Sequence, residues 1–233
     1  MSRGIFITAA GTGVGKTLTT SALAWQLARA GRAVLALKPV VSGFSAEDLD
    51  SDPAVLLRAV GRAPTQEAIA AIAPWRFQTA LSPDRAARLE GRPIQFVDVV
   101  AFCRQALDSD HDHVLIEGAG GVMSPIDGTR TSLDLVVQLQ LPVVLVVGTY
   151  LGSLSHALTA FKVLEISGVA IRAIVVSDST DGVGLAEAAA TIAAVAPPAV
   201  EILPLPRLAG AEVEKWRCAP DLTHLCQPAG RRS

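Results

Sequence analysis

Aromatic side chains are scarce in this chain, at 4% of residues, with a single Tyr, while half the residues are hydrophobic and rich in Ala, Val, Leu and Ile. That balance suits parallel strands covered by helices on both faces. Charge of one sign is also lacking. Twenty Lys and Arg stand against 22 Asp and Glu, for a net −2, and the two signs are interspersed. No global field marks nucleic acid or an anionic membrane as a partner, so a phosphate would have to be held by a local device. Three cysteines (Cys103, Cys218, Cys226) are too few and too scattered for a disulfide framework. They read as reduced thiols in the cytoplasm. Cys218 and Cys226 flank His224, but a zinc site there lacks a fourth ligand and the right spacing. Long apolar runs are missing too: Val143 to Val147 is strand-sized, and no leader peptide is expected ahead of the first strand.

What is present is alternation. Apolar runs at Gly4–Ala9, Ala33–Leu37, Val114–Ile116, Pro142–Val147, Ile171–Val176 and Val200–Leu205 predict strands. Between them, helical patterns fall at Thr17–Ala30, Pro53–Val60, Phe96–Leu107, Leu133–Leu139, Leu154–Ile166 and Leu185–Val195. Lys38 to Ser51 reads as a polar loop. Residues 61–93, broken by Pro64, Pro74, Pro83 and Pro93, read as short helices between loops. Strand–helix alternation implies right-handed crossovers and a mostly parallel sheet: an α/β, three-layer fold. Nothing divides residues 1–233 into separate domains. The tail after Arg207 shows no clear pattern, and Pro228–Ser233 is expected to fray.

The strongest chemical signal is Ala10-Gly-Thr-Gly-Val-Gly-Lys-Thr17, directly after a strand and directly before a helix. This is the setting of a phosphate-binding P-loop. Gly11, Thr12, Gly13, Val14 and Gly15 let successive backbone N–H groups converge on phosphate oxygens at a helix N-terminus. Lys16 can reach the β- and γ-phosphates, and the Thr17 hydroxyl suits Mg²⁺, which takes oxygen ligands. Ala10 stands where the strict pattern has Gly. An acidic partner for the metal is expected as well. Glu117 ends a strand at the carboxyl edge of the sheet and is followed by Gly118-Ala-Gly120-Gly121, which lets backbone approach a ligand closely. Asp52 stands just before a helix, where it serves equally well as a metal ligand or as a plain N-cap. Lys38, at the end of the second strand, stands where it can meet charge developing on a γ-phosphate.

The set Gly15-Lys16-Thr17, Lys38-Pro-Val-Val-Ser-Gly43, Ser51-Asp52 and Glu117-Gly-Ala-Gly-Gly121 resembles the dethiobiotin synthetase family. Leu81-Ser-Pro83, Glu90-Gly-Arg-Pro93, Leu141-Pro-Val-Val144 and Leu151-Gly-Ser-Leu-Ser-His-Ala157 add to it, in family order, over about residues 3 to 208. The resemblance implies the P-loop NTPase fold and a homodimeric, Mg²⁺- and ATP-dependent ligase. Its substrates would be 7,8-diaminopelargonic acid and CO₂, joined through a carbamate and a carbamic–phosphoric anhydride into a cyclic urea. It further implies that Lys16 and Lys38 hold carbamate and γ-phosphate, and that Thr12 and Ser42 contact the diamine or carbamate. Thr17, Asp52 and Glu117 would bind Mg²⁺. Gly152, Ser153 and Ser155 would take the substrate's tail carboxylate from the opposite subunit, with Pro206, Arg207 and Leu208 bordering adenine. Ser177-Asp178 stands where the family reads adenine with Asn-Asp, and Gly13 where it sometimes has an acidic residue.

Two other readings share the P-loop. A cobyrinic-acid-type amide ligase would bring a glutaminase domain, for which 233 residues leave no room. A partitioning-type ATPase switch would place a Lys where Gly11 stands, and would bring a basic surface or a membrane-seeking C-terminal helix.

Overall fold

In chain order the elements are β1 (Gly4–Ala9), α1 (Lys16–Arg29), β2 (Val34–Leu37), β3 (Val40–Ser42), α2 (Asp52–Ala59) and α3 (Gln66–Ile72). Next come β4 (Trp75–Phe77), α4 (Pro83–Leu89), α5 (Phe96–Leu107), β5 (His113–Glu117), α6 (Ser132–Leu139) and β6 (Val143–Gly148). Last are α7 (Ser153–Ile166), β7 (Ile171–Ser177), α8 (Leu185–Val195), β8 (Glu201–Leu205), α9 (Glu212–Cys218) and a 3-10 turn at Thr223–Cys226. The computed structural model describes residues 4–180 and 182–227, so the expectation for Pro228–Ser233 falls outside it.

Six strands form one parallel sheet in the order β2-β5-β1-β6-β7-β8, with helices on both faces. β1 sits in the middle, Ile7 level with Glu117 of β5 and Thr8 level with Leu145 of β6. Val143, Val144, Leu145, Val146 and Val147 are all fully buried. Consecutive burial, rather than alternation, is what two covered faces require. Each such side chain contributes about 1.5–3 kcal/mol on leaving water. The strand order turns around β1. The loops after the carboxyl ends of β1, β2, β5, β6 and β7 therefore gather at one edge, where open α/β sheets bind their ligands.

Two segments differ from the sequence reading. The stretch Lys38–Ser51 is not all loop: Val40–Ser42 pairs in parallel with Trp75–Phe77 as a separate two-stranded sheet. Lys38 N donates to Ile72 O at 3.1 Å and Trp75 N to Pro39 O at 3.1 Å, which locks the backbone on both sides of Lys38. Three-residue strands carry too little periodicity to stand out, and the prolines of residues 61–93 hide the partner. Beyond Arg207 the chain is also structured as far as residue 227. Trp216, Leu222 and Leu225 are buried, and Trp216 Nε1 donates to Ser21 Oγ of α1 at 2.9 Å. No helix among the described residues is long and apolar enough to cross a membrane.

Cys103 is fully buried on α5, and burial pushes its thiol up to about 12, whereas Cys218 is exposed. Thiolate is the reactive species, so burial should protect Cys103 twice over. In a thiol-titration assay at neutral pH, Cys218 should react quickly and Cys103 only after denaturation. Fast native labelling of Cys103 would show that α5 is not packed as described.

Candidate functional site

The P-loop leaves β1 with Ala10 N donating to Val146 O at 3.0 Å and enters α1 at Lys16. Gly15 has φ 96°, a left-handed conformation, and a Cβ there would lie 2.6 Å from the hydroxyl oxygen of Ser177. Gly is required on both counts. Gly118, which follows β5, passes so close to β1 that a Cβ would meet the Phe6 ring at 2.9 Å. Its N–H donates to Ile7 O at 2.9 Å, and Val122 N to Ala9 O at 2.9 Å, so the loop after Glu117 lies against the P-loop.

Between these loops is a compact charged group. Lys16 and Lys38 are each 6% exposed and Glu117 is 1% exposed. Lys38 Nζ donates to Glu117 Oε1 at 2.6 Å and to Asp52 Oδ2. Thr17 Oγ1 lies 2.7 Å from Asp52 Oδ1 and 2.9 Å from Glu117 Oε1. With a single proton, the hydroxyl can donate to one carboxylate at a time. Lys16 Nζ folds back onto Gly11 O at 3.0 Å. Two ammonium groups thus face two carboxylates, a set that is close to neutral as a whole.

The neighbours tune each group. Burial alone would lower Lys38, but Glu117 and Asp52 outweigh it and hold the ammonium above its ordinary range. Burial alone would raise Asp52, but Lys38, then Thr17 and Lys16, hold its carboxyl below the usual range. Lys16 is pulled down to about 8 by burial and by the like charge of Lys38, against the opposing pull of Glu117 and Asp52. Lys38 therefore remains a cation, while Lys16 would gain from an incoming phosphate.

The Asp52 side chain shows why it is not a helix cap. Ser51 is the N-cap of α2, without a side-chain capping bond, and Asp52 instead turns its carboxylate to Thr17 and Lys38. A hydroxyl and two carboxylates make an all-oxygen donor set suited to Mg²⁺. Glu117 Oε2 is buried and has no hydrogen-bond partner among the described residues, which leaves an acceptor that a hard cation or its water can satisfy. These residues fit the metal.

The other expected site residues surround this group. Thr12 is exposed, its hydroxyl 3.9 Å from where a Cβ on Gly120 would sit. Gly13, at φ 72°, is exposed and Val14 buried, with Ala119 partly buried beyond Gly118. Ser42 ends β3, four residues beyond Lys38. Ser177 presses on Gly15, and Asp178 N donates to Leu205 O at 3.0 Å, which puts Ser177 and Asp178 beside Pro206, Arg207 and Leu208. Arg207 is exposed and donates to Thr180 Oγ1 at 2.8 Å. Gly152 caps α7 at φ 89°; Ser153 Oγ is buried without a partner, and Ser155 is exposed. No hydrogen bond or ion pair among the described residues links Gly152, Ser153 or Ser155 to the lysines. Tyr150 was not legible in the sequence. Its hydroxyl bonds His156 Nδ1 at 2.8 Å and lies 3.7 Å from where a Cβ on Gly11 would sit, so it borders the P-loop. A lone Tyr after a strand carries no signal for that.

A family model described as an AAA domain matches residues 3–208. An ATP-dependent dethiobiotin synthetase of Caulobacter vibrioides is 49% identical over 181 residues, 77% of this chain and 81% of that protein. One from Methylobacterium nodulans is 47% identical over 181 residues, 75% of this chain and 80% of that protein. Among solved structures, a ParA family ATPase from Chlorobium tepidum aligns with TM-score 0.52 at 16% identity, covering 94% of this chain and 90% of that one. A chain of the MinC:MinD cell division protein complex of Aquifex aeolicus gives TM-score 0.53 at 17% identity, over 93% of this chain and 86% of that one. These two likenesses show the fold alone. The sequence relatives carry the family: this chain belongs to the ATP-dependent dethiobiotin synthetases.

Proposed function

We propose that this chain closes the ureido ring of dethiobiotin, in biotin biosynthesis, from 7,8-diaminopelargonic acid, CO₂ and ATP. Membership of the dethiobiotin synthetases supports the reaction. The observation that carries the chemistry is Lys38 held between Asp52 and Glu117, beside Lys16 and Thr17. One substrate amine adds CO₂ and loses a proton, giving a carbamate. A carbamate oxygen attacks the γ-phosphorus, and ADP leaves with the bridging electron pair. The second amine then attacks the carbonyl carbon of the resulting anhydride, phosphate departs, a proton is lost and the urea ring is closed.

The obstacle is charge. A carbamate anion must approach a polyanion, and this repulsion is what Lys16 and Lys38 suppress, in a buried site where each cation acts strongly. The P-loop N–H groups of Gly11 to Thr17 cradle the phosphates. Mg²⁺, when bound, would neutralise phosphate charge, and Thr17, Asp52 and Glu117 are the residues to hold it. Thr12 and Ser42 orient the carbamate or diamine. Ser177, Asp178 and Pro206–Leu208 border the base. Gly152, Ser153 and Ser155 take the tail carboxylate on helix N–H groups, from the opposite subunit of a homodimer. The chain works as one domain in the cytoplasm, with neither nucleic acid nor membrane as partner.

Omitting one component at a time tests the reaction. Phosphate release should need the diamine, CO₂ or bicarbonate, Mg²⁺ and ATP together; robust turnover without the diamine, stimulated by DNA or lipid, would replace this reading with that of a switch.

Lys38 stands outside the P-loop, so the loop and Lys16 should still hold nucleotide without it. Lys38→Ala should lower kcat by about 10²- to 10³-fold, the usual effect of deleting one such electrostatic contact. ATP affinity should change far less. Lys38→Arg should rescue only in part, because a planar guanidinium does not replace a compact ammonium between anions. Near-normal turnover in Lys38→Ala would reduce Lys38 to a structural counter-ion.

A further inference from the structure

The group of lysines and carboxylates depends on two helix starts meeting. Thr17 is the second residue of α1, Asp52 the first of α2, and their side chains touch at 2.7 Å. The sheet supports α1 along its length. α2 is eight residues long and follows an exposed loop at 45–50; Pro53, Ala54, Leu56, Leu57 and Ala59 are buried, and its charged last turn is held from another side.

The C-terminal segment holds that last turn. Arg58, in the last turn of α2, donates Nε to Glu212 Oε2 at 2.7 Å and Nη2 to Glu212 Oε1 at 2.5 Å, a bidentate fork. The same guanidinium donates Nη1 to Leu49 O at 2.6 Å and lies 3.5 Å from Asp50. One side chain thus ties together α2, the loop that leads into it and the first residue of α9. α9 in turn is fastened to α1. Trp216 Nε1 donates to the buried Ser21 hydroxyl at 2.9 Å. Gln26 of α1 donates to Pro220 O and accepts from Leu222 N, both at 2.9 Å. Ser21 is four residues from Thr17, on the same face of α1. Glu212 therefore closes a chain of contacts that runs Thr17–α1–Ser21–Trp216–α9–Glu212–Arg58–α2–Asp52 and back to Thr17.

We infer that Glu212 and Arg58 are positioning residues, which set Asp52 against Thr17 through α2. Among the described residues, neither side chain makes a hydrogen bond or ion pair with Lys16, Thr17, Lys38, Asp52 or Glu117. Glu212 lies beyond residue 208, where the matched family model ends. The Arg58 and Glu212 side chains are 28% and 30% exposed, so the fork adds little to global stability. Its effect falls on where α2 begins. The inference rests on the proposed Mg²⁺ role of Thr17, Asp52 and Glu117.

The test is a Mg²⁺ titration of the full chain with a non-hydrolysable ATP analogue, followed by calorimetry well below the melting midpoint. Glu212→Gln removes one charge and leaves the shape of the side chain. It should raise the half-saturating Mg²⁺ concentration by about 3- to 10-fold, less than the 10- to 100-fold expected for loss of a residue that directly supports a metal ligand. Affinity for the analogue without metal should stay within about 2-fold, since the P-loop is untouched. Asp52→Asn is run beside it. If Asp52→Asn raises the Mg²⁺ requirement and Glu212→Gln does not, Glu212 is only a brace and the inference is overturned. If neither variant moves it, the metal assignment itself fails, and the positioning role falls with it.

Discussion

An ammonium group buried among apolar strands must have counter-charges within hydrogen-bond reach, or the fold would expel or neutralise it. Lys38 meets this constraint with Glu117 from β5 and Asp52 from α2, 79 and 14 residues away in sequence. The rest of the site follows from holding those three pieces together. β2 pairs with β5 in parallel, Leu37 level with Ile116, so Lys38 and Glu117 leave neighbouring strand ends side by side. The β3–β4 pair fixes the backbone on the far side of Lys38, and α9 steadies the helix that brings Asp52. Taking one partner away from a buried pair commonly costs about 3–5 kcal/mol, so the strand pairing that sets Lys38 against Glu117 protects a sizeable share of the fold's stability.

The same arrangement explains how a nearly neutral protein handles highly charged substrates. Its surface charges are mixed, but at the carboxyl edge of the sheet two buried lysines, a buried Glu117, the partly exposed Asp52 and a helix N-terminus are brought together. Lys16 is lowered toward 8, so phosphate would strengthen its charge, whereas Lys38 is already held as a cation by its carboxylates. The two lysines of the site therefore differ in what binding would do to them, although both are buried to the same extent.

Much of this was legible in the sequence, for a physical reason. Long parallel strands buried on both faces read as continuous apolar runs, and β1, α5 and α8 fall on the expected boundaries. The P-loop is legible because glycines at fixed spacing have no other use between a strand and a helix. Asp52 was ambiguous, since a carboxylate at a helix start suits a cap as well as a metal; only its contact with Thr17 and Lys38 distinguishes the two. β3 and β4 are too short to show periodicity. α9 is hidden because its one deeply buried side chain, Trp216, lies among charged residues that suggest solvent. Tyr150 and Arg58 gain their places from folding alone, with no local pattern to mark them.

The central claim is that Lys38 and Glu117 act as one buried unit, and a double-mutant cycle tests it most directly. Denaturant unfolding would be measured for the wild type, Lys38→Met, Glu117→Gln and the double variant, all without Mg²⁺. Each single variant should destabilise, and the double variant should be more stable than the sum of the two losses allows, with a coupling of about 0.5–3 kcal/mol. Losses that add to within about 0.3–0.5 kcal/mol would contradict the account, because the two side chains would then be folding without reference to each other.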